Sequence, residues 1–135
     1  MFGNYLGDKI IPIKGENIPT FKTPLSQRDS LMKVEPIDIP EIYYVATKDS
    51  HTGNVFLKVI NVVGKSQTVD FNIEGASGIQ SKAIKVELKS AHPEDTNTID
   101  QPKNIVPVTS KAKVSKAFKC TLAPYSITIL KISTK

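Results

Sequence analysis

One thiol, two imidazoles and thirteen carboxylates are the groups in this 135-residue chain that could carry acid–base, nucleophilic or metal chemistry. The thiol is Cys120, in Phe118-Lys119-Cys120-Thr121-Leu122. A nucleophilic cysteine needs a neighbouring base to generate the thiolate. The histidines, His51 and His92, both lie in turn-like sequence with nothing to bring them to Cys120. The alternation around Cys120 predicts a small residue in a strand. Glycoside hydrolysis needs two carboxyl groups roughly 5–10 Å apart, one of them in surroundings that raise its pKa. Asp70, Glu74 and Glu87 instead occupy polar strand positions or turns, and read as surface charge. The segment His92-Pro93-Glu94-Asp95-Thr96-Asn97-Thr98-Ile99-Asp100 is rich in oxygen ligands of the kind calcium takes. Its spacing is not that of an EF-hand and it lacks the glycine of the sharp turn, so a solvated loop built on Asx turns is expected. There is no Ser-His-Asp arrangement, phosphate loop, dinucleotide fingerprint or Cys-x-x-Cys pair. The sequence predicts no complete catalytic site, no metal site and no cofactor.

The formal charge of +5 comes from eighteen basic residues, all lysine except Arg28. They are spread along the chain, with a mild cluster at Lys111, Lys113, Lys116 and Lys119. Nucleic-acid readers use arginine forks and interleaved aromatics. This chain has neither, so no nucleic-acid partner is expected, and scattered lysines suit solvated strand faces and guarded sheet edges. No run of about eighteen apolar residues exists to span a bilayer. The N-terminus lacks the basic-then-apolar order of a signal peptide. A soluble globular domain is the expectation.

Two textures divide the chain. Residues 1–40 carry Gly3, Gly7, Pro12, Gly15, Pro19, Pro24, Pro36 and Pro40 and no helical period. They predict an irregular lead-in with short extended pieces near Ile10–Ile13 and Ser30–Val34, or a turn or two of helix within Ser26–Lys33. Residues 41–135 read as strands and turns: Ile42–Lys48, Val55–Val62, Gln67–Ile73, Ala83–Leu88, a short strand near Lys113–Val114, Ala117–Leu122 and Ser126–Ile132. Val55–Val62 is a nearly continuous apolar run broken by Lys58, which predicts a central strand; Ser126–Ile132 also suits burial on both faces. In Ala83–Leu88, the residues Ile84, Val86 and Leu88 are expected inward, and Lys85, Glu87 and Lys89 outward. Ser90–Pro107 is a long irregular connection. About seven or more strands without a convincing helix predict an all-β fold, an antiparallel β-sandwich.

Three passages and the opening resemble one family. They are Ile42-Tyr43-Tyr44-Val45-Ala46-Thr47-Lys48-Asp49 with Thr52-Gly53 and Leu57-Lys58-Val59-Ile60-Asn61; Asn97 through Pro107; and Leu122-Ala123-Pro124-Tyr125-Ser126-Ile127-Thr128-Ile129-Leu130. Met1-Phe2-Gly3-Asn4, Gly7-Asp8 and Ile11-Pro12 accompany them. In this order they resemble the C-terminal domain of α-L-arabinofuranosidases of glycoside hydrolase family 51. The likeness covers most of the chain and is least secure over residues 14–40.

The resemblance implies a jelly-roll-like accessory sandwich packed on a (β/α)8 catalytic barrel that lies outside this chain. The barrel would supply both glutamates of a retaining mechanism acting on arabinan or arabinoxylan side chains, so no residue here takes a catalytic role. It also implies that a strand from before the barrel joins this sandwich, which would leave one sheet edge bare and open to self-association. An apolar surface covered by the barrel is a further expectation. Phe2, Tyr5, Leu6, Ile10 and Ile11 are the candidate interface residues. The competing reading is a carbohydrate-binding module stacking sugars on Tyr43, Tyr44 or Tyr125. The lack of tryptophan and the low tyrosine count disfavour it.

Overall fold

The computed structural model describes residues 1–134. After a short 3-10 turn at Phe2–Asn4, the elements in chain order are β1 (Lys9–Ile11), β2 (Thr20–Lys22), α1 (Gln27–Leu31), β3 (Asp38–Pro40), β4 (Ile42–Lys48), β5 (Val55–Asn61), β6 (Gln67–Asn72), β7 (Lys82–Lys89), β8 (Val108–Lys113), β9 (Ala117–Leu122) and β10 (Ser126–Ile132). All pairings are antiparallel. One sheet has six strands in the order β1-β4-β5-β10-β7-β8. A second layer is the pair β6-β9, and β2-β3 form a separate two-stranded ribbon that carries α1. The fold is an all-β antiparallel sandwich.

The middle of the large sheet follows from its composition. β5 and β10 are buried on both faces along almost their whole length. They pair residue for residue, Leu130 with Leu57, Thr128 with Val59 and Ile132 with Val55 on the inner face. That face meets Val69, Phe71, Phe118, Cys120 and Leu122 from the second layer in one hydrophobic cluster. Phe71 and Phe118 stack with ring centroids 5.3 Å apart. β6 alternates, with Val69 and Phe71 turned inward and Thr68, Asp70 and Asn72 outward.

Turns are held by side chains matched to them. Asn61, almost fully buried at the end of β5, donates from Nδ2 to the carbonyls of Lys65 and Ala123, both at 2.8 Å. It thereby ties the β5–β6 turn to the β9–β10 turn. Tyr125 takes φ +43° in that second turn and lies over Gly64, where a β-carbon would meet its ring at about 3 Å. Gly53 takes φ +73° in the β4–β5 link, a conformation that suits glycine. Asp49 accepts from Thr52 Oγ1 at 2.7 Å and from the His51 amide at 2.9 Å in the same link. Asp8 accepts from the Ser50 amide at 2.7 Å and fastens the lead-in beside it.

Two expectations are corrected. Ser30–Val34 is not extended; the alternative of helix within Ser26–Lys33 holds instead, because Ser26 and Asp29 form a capping box that starts α1 and draws Ser30 and Leu31 into it. In β7 the alternation is as expected but its direction is reversed. Ile84, Val86 and Leu88 share a face with Lys131, Ile129 and Ile127, away from the second layer. Ala83, Lys85 and Glu87 face inward, where Lys85 Nζ lies 2.9 Å from Glu87 Oε1. Mutual neutralisation makes the inward placement tolerable, and Glu87 is therefore not a solvated surface charge.

Leu130 stands in the middle of the core cluster, so Leu130→Ala is expected to lower unfolding free energy by about 2–5 kcal/mol in urea titrations. The bonds from the Ser50 side chain and amide hold the Asp8 carboxyl below its ordinary value of 3.8. A lowered folded value means that the link is intact above pH 3.8 and is lost as pH falls through the lower folded value. The Ser50 amide resonance should therefore titrate with a midpoint below 3.8.

Candidate docking face

The chemically capable groups come to rest apart from one another. Cys120 sits in β9 facing the second layer's inner side, and its burial pushes the thiol upward, away from thiolate formation. Among the described residues no group of three or more His, Cys, Asp or Glu side chains is placed to hold a metal ion. In the oxygen-rich segment, Asp95 accepts from Ser90 Oγ and faces the His92 amide at 3.3 Å. Asn97 exchanges two bonds with the Ile105 backbone, at 2.9 and 2.6 Å, and Asn104 donates to the Thr96 carbonyl at 3.1 Å. These oxygens and amides are spent on shaping the loop.

The tyrosines do not form a platform. Tyr43 is on the outer face of β4 opposite Ile60, and Tyr44 is on the inner face opposite Val59, as their adjacency requires. Tyr125 is taken up by the turn at Gly64. The two shallow depressions in the surface are lined by Ile18, Pro40, Ile42, Tyr43 and Tyr44, and by the ends of β6 and β9 around Phe71 and Phe118. The second depression is bordered by the stacked Phe71–Phe118 pair with Asp70, Asn72 and Lys119, and no tyrosine lines it.

The feature that stands out is the outer face of the six-stranded sheet. Its register places Tyr43, Val45 and Thr47 of β4 beside Ile60, Lys58 and Phe56 of β5. Those in turn lie beside Ile127, Ile129 and Lys131 of β10. Leu88, Val86 and Ile84 of β7 complete the row. A sheet with one solvated face would carry polar residues here. This one is apolar on both sides. Tyr43, Val45 and Ile84 remain 46, 43 and 40% exposed. The strand positions that point to this side carry lysines (Lys58, Lys131, Lys82, Lys111, Lys113) and no Asp or Glu.

The lead-in covers only the middle of this face. Tyr5 packs edge-on against Phe56 with centroids 6.1 Å apart, and the Phe2 ring lies under Lys58 Nζ at 5.3 Å. Ile10 pairs across from Thr47 on the edge strand and is largely exposed, as is Leu6. Ile11, the next residue, turns to the other side and packs on the core cluster. The lead-in joins the sheet through β1, which pairs with β4. The lysine that interrupts the apolar run of β5 was the sequence signal for this face, together with the two-sided apolar pattern of β5 and β10.

The fold is an all-β sandwich whose larger sheet carries apolar side chains on both faces. The chain belongs to the α-L-arabinofuranosidase C-terminal domain family, whose sequence profile matches residues 1–126. Its fold is that of part of the α-L-arabinofuranosidase from Thermotoga maritima, with a TM-score of 0.75 and 18% identity over 96% of this chain. The thermostable family 51 α-L-arabinofuranosidase from Thermotoga petrophila RKU-1 gives 0.74 and 18% over 96%. The arabinose-bound α-L-arabinofuranosidase MgGH51 gives 0.65 and 25% over 70%. This chain spans only 27, 26 and 15% of the length of those three proteins. No curated protein matches it.

Proposed function

We propose that this chain is the non-catalytic C-terminal sandwich of an α-L-arabinofuranosidase, and that its outer sheet face docks on the catalytic (β/α)8 barrel. The observation that carries this reading is the apolar outer face, with buried Phe56 and Ile129 at its centre and exposed Tyr43, Val45 and Ile84 at its flanks. Contiguous apolar surface of this kind marks an interaction site. The parent enzyme would remove terminal arabinofuranosyl residues from arabinan or arabinoxylan, with both catalytic glutamates in the barrel. Phe2, Tyr5, Leu6 and Ile10 lie on or beside this face and would form part of the contact. Residues 1–40 act as the connection from the barrel and add β1 to the edge of the sandwich, which residues from 41 onward otherwise form.

The second layer supports a further element of the reading. It offers two strands against six, and β6 and β9 each pair with one strand only. A strand from before the barrel would complete it. Without that strand the bare edges invite a second copy.

Two measurements on the isolated chain follow. It should release no p-nitrophenol from an aryl arabinofuranoside and give no calorimetric heat with arabino-oligosaccharides. Turnover would refute the non-catalytic role, and binding would favour a sugar-binding module. Light scattering should show a mass above that of the monomer, rising with concentration. A strictly monomeric mass at high concentration would count against the bare edge.

A further inference from the structure

The two ends of the six-stranded sheet are protected in different ways. At one end β8 carries Lys111 and Lys113, charges that keep an open edge from pairing with another chain. At the other end the edge strand β1 is three residues long, and β4 behind it has no such charges. Ile42-Tyr43-Tyr44-Val45-Ala46-Thr47 consists of five β-branched or aromatic residues and an alanine, with no charge, proline or glycine. Such a segment stacks edge to edge when it is bare. One side of β4 pairs with β5 along its whole length. The other side meets only the lead-in, and β1 pairs with it at Ala46, Thr47 and Lys48 alone. Residues 12–18 then arch past Ile42–Val45 with no backbone hydrogen bond to them among the described residues. The arch closes where the Pro19 carbonyl accepts from the Glu41 amide at 2.8 Å.

Few contacts hold this cover in place. Asp8 accepts from the amide and the hydroxyl of Ser50. Ile11 and Ile18 pack on the core cluster. Gly7 lies against the Lys48 backbone, where a β-carbon would come within 2.7 Å of the N, C and O atoms. Gly15 lies against the Tyr44 hydroxyl and leaves no room for a β-carbon there. We infer that residues 7–19 are a strap that guards the edge of β4, and that its release lets a second copy of the chain pair there. The segment is complementary to itself. An antiparallel pairing centred on Tyr44 sets Ile42 against Ala46 and Tyr43 against Val45, so that like faces meet and no charges are opposed. The strap is thus a conformational guard, independent of any contact with the barrel.

Two variants of the full chain loosen the strap by different means. Gly7→Ala pushes it off the Lys48 backbone, and Asp8→Ala removes its bonds to Ser50 without adding bulk. Each should speed hydrogen exchange in the β1–β4 ladder by at least about tenfold, while the β5–β10 ladder keeps its protection and reports an intact core. In light scattering each should show a larger mass than wild type at equal concentration, so that pairing through the second layer, common to all, cancels. Adding Tyr43→Lys puts a charge at a half-exposed position of β4 opposite Ile60. It should return the mass to the wild-type value and leave the fast exchange. If both variants exchange as wild type does, the strap is overturned. Fast exchange with wild-type mass, or added mass that Tyr43→Lys leaves in place, overturns the edge of β4 as the site it guards.

Discussion

The structure depends on two strands that have no solvent side. β5 and β10 run antiparallel through the centre of the six-stranded sheet, and each presents apolar side chains to both faces. Burying one face requires the β6-β9 layer, which brings Val69, Phe71, Phe118 and Leu122 onto Leu57, Val59 and Leu130. On the other face Phe2 and Tyr5 lie against Lys58 and Phe56, and Tyr43, Val45 and Ile84 stay exposed.

The polar groups are disposed accordingly. Inside, Lys85 neutralises Glu87, and Asn61 binds the turns at the end of β5 together. In the loops, Asp8, Asp49, Asp95 and Asn97 spend their hydrogen-bonding capacity on the backbone around them. On the outer face Lys58 lies between Val45 and Ile129, with the Phe2 ring 5.3 Å from its Nζ.

The lead-in shows how local and tertiary forces divide the work. Ile10 and Ile11 are adjacent apolar residues on one short strand, and pairing with β4 sends them to opposite faces. One joins the core cluster and the other stays exposed on the outer face. The capping box at Ser26 and Asp29 sets α1 by purely local chemistry, in a segment rich in proline and glycine. The ribbon β2-β3 then closes around it with Thr20 opposite Pro40 and Lys22 opposite Asp38.

Composition and alternation by themselves determined that this is an all-β chain with central strands at Val55–Asn61 and Ser126–Ile132, because a strand buried on both faces must be apolar throughout. Which side of a strand is the inside was not legible. Ile84, Val86 and Leu88 in β7 look like core residues by alternation, yet only pairing with β10 decides that they face away from the second layer. Likewise Lys58 reads as a mere break in an apolar run until cross-strand neighbours surround it with Val45 and Ile129. Alternation has a period of two and carries no sign; the direction of a face is set by the strand beside it and the layer above it, and those are contacts distant in sequence.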